Sequence, residues 1–389
     1  MRFSIFAAAL VAVLVGFGGT LAVIVQAAGH LGATPAQTAS WVSVLCLAIA
    51  GTSIVLSLRY RTPVVTAWSL AGAVLIGSAP PGIGLPAAIG AFMASAVLTI
   101  LSGLLPALGG AIARLPPSIS GAMLAGLLLR YVLGLFQAAG GSPGLVLPLL
   151  AVFLAARLVH AASAPLVVIL CGVALAQALG LPMAMPAGLE LSALVPVMPR
   201  LDLAVILGLG VPLFLVTMAT QQIAGAAVLR TAGYVPPVRG ALLVTGFASL
   251  AAAPFGGYSV NLSSITAALC AGPDAHPDPA RRWMTGPVYG LLYLALAASG
   301  ASFVQVFTAL PPALVATVAG VALLGPMTGA LTAAMGQERE RFAAVLAFGV
   351  TASGVSLLGV GAAFWGLVAG LLALGLQGAE RRLRGIRPA

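Results

Sequence analysis

One ten-residue pattern occurs twice in this chain, loosely, as Pro63-Val64-Val65-Thr66-Ala67-Trp68-Ser69-Leu70-Ala71-Gly72 and as Tyr258-Ser259-Val260-Asn261-Leu262-Ser263-Ser264-Ile265-Thr266-Ala267. The two copies are 195 positions apart in a chain of 389 residues. The same offset relates Gln26 to Gln221, and Leu115-Pro116-Pro117 to Leu310-Pro311-Pro312. Several matches at one offset indicate a duplicated protein, and short polar segments paired in this way point to a transporter's binding site.

The composition is that of a membrane protein. Hydrophobic residues make up 61% of the chain and charged residues 6%, and the mean hydropathy is +1.15. No soluble fold buries that much apolar surface, so lipid must solvate much of it. Long apolar runs, rather than short alternating ones, favour helices over a transmembrane barrel. The sequence therefore predicts an all-α polytopic membrane protein.

Fourteen hydrophobic segments are predicted, with both termini in the cytoplasm. Fifteen of the seventeen arginines then lie on the cytoplasmic side, as the positive-inside rule expects, and only Arg130 and Arg200 do not. The third and tenth segments are shorter than the roughly 20 residues that a spanning helix needs. The stretches 144–180 and 342–378 are nearly continuous, so the number of segments within each is open by one. The segments are 4–28, 36–58, 63–78, 86–108, 117–136, 144–161, 163–180, 202–228, 239–254, 258–272, 283–302, 311–333, 342–358 and 360–378.

Seven segments in each half require the second half to enter the membrane from the opposite side. The repeats are therefore predicted to be inverted, related by a pseudo-two-fold axis in the membrane plane. Residues 1–180 form the first repeat and residues 202–378 the second. Residues 181–201 form the extracellular connection, and residues 379–389 form an Arg-rich cytoplasmic tail.

The third and tenth segments are expected to run extended to mid-membrane and to continue as short helices. Ser69 and Ser264 are the predicted N-caps of these helices. In an inverted repeat both helix N-termini face the bilayer centre, so free N–H groups and positive dipole ends would converge there and suit an anion. Extended backbone at that depth must be buried or line a wet cavity.

The predicted substrate site gathers polar and aromatic residues from the first, third, eighth and tenth segments. The alternative is that their hydroxyl groups only bond neighbouring helices and that their aromatic rings only fill the core. The candidates are Gln26, Thr66, Trp68, Ser69, Gln221, Gln222, Tyr258, Ser259, Asn261 and Ser264.

Anion attraction or proton coupling has three further candidates, because none of the seven acidic residues lies centrally in a predicted segment. His160 lies near the cytoplasmic end of the sixth segment, and Asp202 lies at the mouth of the eighth. Arg130 is the most deeply embedded charge. We expect its side chain to extend to the interface or to pair with Asp202, and alternatively to attract an anion.

Other functions are excluded by missing signatures. The net charge of +10 follows from membrane topology and does not indicate nucleic-acid binding. The three cysteines are isolated, and the prolines around His276 favour a rigid loop over a metal site. No phosphate loop, redox motif or metalloprotease motif is present. The sequence therefore predicts no cofactor, no metal and no enzymatic activity.

Four stretches resemble the BenE family of benzoate/proton symporters. They are residues 59–69 (RYRTPVVTAWS), 118–130, ending in LLLR, 254–262 (PFGGYSVNL) and 273–282 (PDAHPDPARR). The resemblance runs over almost the whole chain. It implies kinship with uracil and xanthine permeases and with sulfate-type anion carriers, and so a seven-plus-seven inverted repeat with the substrate between the third and tenth segments.

The resemblance also implies two domains. The core is expected at about 1–112 and 202–302, and the gate at about 113–180 and 303–378. The sequence does not decide whether two copies form a homodimer through their gates. Many nucleobase permeases of this fold carry glutamates in the eighth and tenth segments. Their absence here favours a substrate with its own negative charge.

The predicted function is therefore import of benzoate or a related aromatic carboxylate with a proton, by alternating access, across a bacterial inner membrane. The proton carrier is not identified. The alternative is a nucleobase or inorganic-anion carrier of the same fold. A more remote alternative is a membrane enzyme or scaffold that transports nothing.

Overall fold

The computed structural model describes residues 3–105, 110, 115–161, 163–183, 188 and 190–383. Each of the fourteen predicted segments holds a helix or a strand followed by a helix. Arg2, Arg114, Pro186 and residues 384–389 of the predicted tail lie outside the described residues. The elements are α1 Phe3–His30, α2 Pro35–Tyr60, β1 Thr66–Trp68, α3 Leu70–Gly77, α4 Leu85–Leu104, α5 Pro117–Gly141, α6 Pro143–Val159, α7 Ala164–Ala178, α8 Leu203–Thr231, α9 Val238–Phe255, β2 Val260–Leu262, α10 Ile265–Ala271, α11 Pro279–Ala298, α12 Gly300–Ala309, α13 Pro312–Met335, α14 Arg341–Ser353 and α15 Ala362–Leu383.

Eight of the described helices are long and apolar enough to cross a membrane, namely α1, α2, α4, α5, α8, α9, α13 and α15. Helices α11 and α12 would make a ninth span if taken together, although the chain bends by 63° between them. Helices α6 and α7 are apolar but shorter. The chain is a mostly helical, polytopic membrane protein, as its composition predicts.

The two nearly continuous apolar stretches each contain two helices. In the first, α6 ends at Val159 and α7 begins at Ala164. In the second, α14 ends at Ser353 and α15 begins at Ala362, after Gly354 takes a left-handed conformation. Prolines or glycines at these junctions interrupt helices that the hydropathy alone does not separate.

Helices α1 and α8 are interrupted by π-helical turns. Leu14–Gly18 in α1 forms a π-helical turn, and Ile206–Gly210 and Met218–Ile223 form two in α8. A Cβ atom at Gly210 would lie 2.8 Å from the carbonyl oxygen of Ala91. The glycine therefore permits α8 to approach the backbone of α4 closely, as small residues do between membrane helices.

The helices pack in two groups. Helices α5, α6, α7, α13, α14 and α15 contact mainly one another. The second group comprises α1 to α4, α8 to α12 and both strands. Helices α1, α3 and α8 of the second group touch α5, α7, α13 and α15 of the first. The short strands and the helices that follow them thus lie in the second group, near its boundary with the first.

Residues 190–201 cross one end of the second group. The backbone N–H of Ser192 donates to Ala298 at the end of α11, over 3.0 Å. Val195 donates to the Ser40 hydroxyl in the first turns of α2, over 2.9 Å. Val197 and Arg200 donate to carbonyls of Pro254 in α9 and Pro86 in α4. The connection therefore ties together helices that begin or end on one side of the molecule.

Candidate functional site

Strands β1 and β2 pair in an antiparallel two-stranded sheet. Thr66 pairs with Leu262, Ala67 with Asn261 and Trp68 with Val260. The pairing continues beyond the strands, since the Ser263 N–H donates to the Val65 carbonyl over 3.0 Å. The predicted extended starts of the third and tenth segments are therefore confirmed. The sheet brings the beginnings of α3 and α10 to its two ends.

Neighbouring helices supply hydrogen bonds along the outer edges of this small sheet. On β1, the N–H groups of Thr66 and Val64 donate to the hydroxyls of Ser53 and Ser57 in α2, over 3.0 and 3.1 Å. On β2, the Val260 N–H donates to the Ser249 hydroxyl in α9 over 2.9 Å. An open sheet edge within the apolar interior would otherwise leave donors unsatisfied, at a cost of several kcal/mol each. The helices thus make extended backbone possible at this depth.

Two predicted site residues on β1 face away from Asn261. Thr66 is fully buried, and its hydroxyl lies 2.7 Å from that of Thr52 and 2.9 Å from that of Ser53. The Trp68 indole N–H donates to the Thr20 hydroxyl over 2.8 Å. Side chains alternate along a strand, so Thr66 and Trp68 share one face while Ala67 and its partner Asn261 share the other. The structure does not bring Thr66 and Asn261 onto a common surface.

The Asn261 face carries a chain of polar groups. The Asn261 amide donates to the Ser259 hydroxyl over 2.7 Å, and its oxygen accepts a longer bond, of 3.4 Å, from Gln222. The Gln222 amide also donates to the Thr245 hydroxyl over 2.9 Å. Ala67 is partly exposed on this face. A primary amide has two N–H donors, so Asn261 keeps one that makes no hydrogen bond within the described residues.

Of the two serines predicted to cap the short helices, one is confirmed and the other is wrong. Ser69 caps α3, because its hydroxyl accepts the Gly72 N–H over 2.9 Å. Ser264 was predicted to cap α10, and this is wrong. The Ser263 hydroxyl accepts from the Thr266 N–H over 3.2 Å and from the Thr266 hydroxyl over 2.6 Å. Ser264 already has helical backbone angles, so its side chain projects from the helix instead of folding back over its end.

Exchanging the two serines for alanine tests this assignment. Ser263→Ala is expected to lower the free energy of unfolding by about 1 kcal/mol, because it leaves the Thr266 N–H without its acceptor. Ser264→Ala, the matched control, removes a hydroxyl that caps nothing and should leave the melting temperature almost unchanged. Thermal unfolding of both variants in detergent measures the difference. A larger loss for Ser264→Ala would restore Ser264 as the cap.

Three other predicted residues lie around this sheet or beyond it. Tyr258 is buried against Trp41, and its hydroxyl donates to the Ser69 carbonyl over 2.6 Å, which links the two half-helix segments. Gln221, next to Gln222, is partly exposed, and its side chain makes no hydrogen bond within the described part of the chain. Gln26 lies elsewhere, beside the far end of α3 at Gly77.

The three charged or titratable candidates are separate from the sheet. Asp202 caps α8 through the N–H groups of Ala204 and Val205, and its carboxylate lies 3.6 Å from Arg200. The expected pairing of Arg130 with Asp202 is therefore wrong, because the neighbouring arginine is closer along the chain. His160 is exposed, and its ring lies 3.2 Å from the hydroxyl of Ser163.

The sequence interpretation missed the residues that hold the sheet in place. They lie in α1, α2 and α9 and, for Tyr289, in α11. The Tyr289 hydroxyl donates to the Thr66 carbonyl over 3.1 Å. The sequence did contain a signal for two of them. Thr245 and Ser249 are four residues apart and therefore lie on one face of a membrane helix. Buried polar residues on one face of a spanning helix indicate a polar partner inside the protein. The missed residues are Thr20, Thr52, Ser53, Ser57, Thr245, Ser249 and Tyr289.

Sequence comparison finds relatives along nearly the whole chain. The profile of the family BenE, described as benzoate membrane transport protein, matches residues 1–376. The chain is 40% identical over 365 residues to the inner membrane protein YdcO of Escherichia coli (strain K12), which covers 93% of each protein. It is 35% identical over 366 residues to the benzoate membrane transport protein of Acinetobacter baylyi, which covers 94% of this chain and 93% of that relative.

Solved structures of anion transporters share the fold. The transmembrane domain of the cyanobacterial bicarbonate transporter BicA aligns with a TM-score of 0.61 over 95% of this chain and 98% of its own, at 15% identity. SLC26A9 aligns with a TM-score of 0.67 over 96% of this chain and 65% of its own, at 12% identity. Identities this low relate the folds alone.

Proposed function

The chain belongs to the BenE family of benzoate membrane transport proteins, and from this premise we propose that it imports benzoate or a related aromatic carboxylate together with a proton by alternating access. Family membership makes it a membrane transporter rather than an enzyme. Its apolar helices and its similarity to YdcO make it a multi-pass inner membrane protein. Substrate, coupling and mechanism are the parts that we propose.

The pairing of Ala67 with Asn261 is the observation that carries the proposed binding site. In this pair the buried Asn261, with one amide N–H that makes no hydrogen bond within the described residues, lies beside the partly exposed Ala67, between the starts of α3 and α10. The α3 N-terminus, with its cap at Ser69, adds N–H groups and the positive end of a helix dipole. A carboxylate bound on the Asn261 face would receive these donors, with Gln221 and Ser264 at its edge.

The seven-plus-seven inverted repeat remains our proposal for the topology, and the order of elements supports it. Each half contains one short strand followed by one short helix. The short helices begin at Leu70 and Ile265, and the long helices α5 and α13 begin at Pro117 and Pro312, in both cases 195 positions apart. The connection that ties α2, α4, α9 and α11 at one end suits an extracellular segment. Both termini would then be cytoplasmic.

The two packing groups support a core and a gate. We assign the core to about 1–112 and 202–302, and the gate to about 113–180 and 303–378. While the core moves against the gate, the bound carboxylate would stay between the two short helices of the core. A Cβ atom at Gly208 in α8 would lie 2.7 Å from the backbone nitrogen of Gly361 at the start of the last gate segment. Such glycine contacts let the two groups of helices approach each other closely.

Coupling to one proton would make transport electroneutral, equivalent to uptake of benzoic acid. The site itself contains no carboxylate among the described residues, which suits an anionic substrate. Benzoate uptake that carries charge on a solid-supported membrane would contradict this stoichiometry.

Uptake into proteoliposomes tests the proposal as a whole. Radiolabelled benzoate is presented under an inward proton gradient, with protein-free liposomes as the control because benzoic acid crosses lipid unaided. We expect saturable, protein-dependent uptake that collapses without the gradient. Uptake equal to the protein-free control would refute benzoate as substrate. Uptake of radiolabelled bicarbonate, sulfate or uracil would then test the alternative of an inorganic-anion or nucleobase carrier, which the fold also accommodates.

A further inference from the structure

A cavity of about 450 Å³ lies between the two helix groups, away from the Asn261 face. Gln26 and His30 of α1 line it together with Ser78 after α3, and Arg130 and Tyr131 of α5 face them. This is the end of α3 opposite to Ser69, about 12 Å further along a helix of eight residues. In the proposed topology this end of α3 points outward, so the cavity would open toward the extracellular side.

Arg130 has no acidic partner in this cavity. The ion pairs of the described chain join Arg200 to Asp202 and Arg281 to Asp278. The Arg130 side chain makes no hydrogen bond within the described residues, and it is exposed to the cavity. An unpaired guanidinium within a membrane helix is costly and commonly marks an ion or substrate pathway. The cavity therefore holds a fixed positive charge without a protein counterion.

Further polar groups in the same cavity also lack partners. The Ser78 hydroxyl is buried without a hydrogen bond, and the amide of Gln26, a partly exposed residue, makes none within the described residues. His30, by contrast, has a partner. Its Nε2 atom lies 2.8 Å from the carbonyl oxygen of Ala79, which can only accept a hydrogen bond. Buried polar groups are normally satisfied, so each unsatisfied one needs an explanation such as a ligand or an ion.

A second cavity, of about 460 Å³, adjoins the first at Ala316 of α13. Its walls are mainly apolar and include Leu145, Leu181 and Pro312. Both volumes lie in the range of small-molecule sites, about 300–1,000 Å³. A cationic, donor-rich cavity beside an apolar one matches a ligand with a carboxylate at one end and a ring at the other.

We infer that these two cavities form an outer capture site, at which an aromatic carboxylate binds Arg130 and Gln26 before it reaches the Asn261 face. The inference rests on the proposed substrate class and topology. A competing explanation gives Arg130 a purely structural role, since a cation is favourable near the C-terminal end of α3. The two explanations differ in whether benzoate occupies the cavity.

A cysteine at Gly134 can report on occupancy. Gly134 lines the first cavity, and a Cβ atom there would meet no atom within 4 Å, so a thiol fits without strain. The background carries Cys171→Ala, because Cys46 and Cys270 are buried. The purified full-length variant is labelled with an uncharged maleimide in sodium benzoate or in sodium chloride of equal ionic strength. Gly140→Cys, on the same helix but outside the cavity, is the matched control.

Benzoate is expected to slow labelling of Gly134→Cys at least fivefold and to leave Gly140→Cys unchanged. Arg130→Gln should abolish this protection, Arg130→Lys should retain part of it, and benzyl alcohol should give none. Protection should persist with Asn261→Asp, which keeps benzoate from the inner site. Unchanged labelling in benzoate, protection that survives Arg130→Gln, or protection lost with Asn261→Asp would each overturn the capture site.

The uptake assay separates this inference from the proposed function. If the wild type transports benzoate while Gly134→Cys is not protected, the capture site alone is refuted. If Gly134→Cys is protected while proteoliposomes take up no benzoate, the capture site stands and the transport proposal is refuted.

Discussion

Asn261→Asp is expected to reduce benzoate uptake at least 100-fold while leaving the protein folded. The two side chains have the same shape, and the aspartate can still accept from Gln222 and Ser259, which are the neighbours of Asn261. What changes is the charge. Two unit charges about 4 Å apart interact by about 4 kcal/mol at an effective dielectric constant of 20, and 1.4 kcal/mol corresponds to tenfold in affinity. A carboxylate at this position should therefore repel the carboxylate of the substrate.

Initial uptake rates in proteoliposomes, compared at equal reconstituted protein, measure this effect. The melting temperature in detergent shows whether the variant is folded. Gln337→Glu makes the same amide-to-carboxylate change on the exposed loop before α14 and should leave uptake unaltered. Wild-type uptake by a folded Asn261→Asp variant would remove the Asn261 face from the binding site.

Arg282→Met is expected to destabilise the protein strongly. The guanidinium of Arg282 is buried and donates to three backbone carbonyls, of His276 over 2.7 Å, Ala271 over 3.0 Å and Pro277 over 3.4 Å. Ala271 is the last residue of α10, so this side chain satisfies the end of a half-helix and the loop that follows. Methionine keeps the apolar stem but leaves these acceptors unpaired, at a cost of about 3 kcal/mol in total.

The adjacent arginine provides the control. Arg281 is largely exposed and pairs with Asp278 over 3.4 Å, and exposed ion pairs contribute little to stability. Thermal unfolding should therefore show a large loss for Arg282→Met and almost none for Arg281→Met. Equal melting temperatures for the two variants would contradict the role of Arg282 in fixing the end of α10.

The two arginines end a stretch of sequence whose rigidity the structure explains. Residues 273–282 carry a family resemblance, and their prolines predicted a rigid loop. The structure gives the reason for the rigidity. The Nδ1 atom of His276 accepts the Asp278 N–H over 3.0 Å, and Arg282 binds the carbonyls of the same turn. Which of two neighbouring arginines is buried cannot be predicted from their spacing, because both lie in one short helical turn.

The sequence alone determines the features that depend on local composition and periodicity. Apolar runs predict the helices, because a bilayer requires long apolar segments whatever their neighbours are. The polar interruption at Thr66 to Ser69 predicts an extended stretch followed by a capped helix, since a serine can cap a helix with its own hydroxyl. The duplication at an offset of 195 residues is likewise visible without coordinates.

Only the tertiary structure decides which of these residues share a surface. The offset aligns Thr66 with Asn261, but in the sheet Thr66 pairs with Leu262 and Asn261 pairs with Ala67. A shift of one residue in register turns a side chain to the opposite face of the sheet. For that reason Thr66 bonds to α2, whereas Asn261 shares its face with the partly exposed Ala67. Register depends on contacts between segments far apart in the chain, which no local pattern encodes.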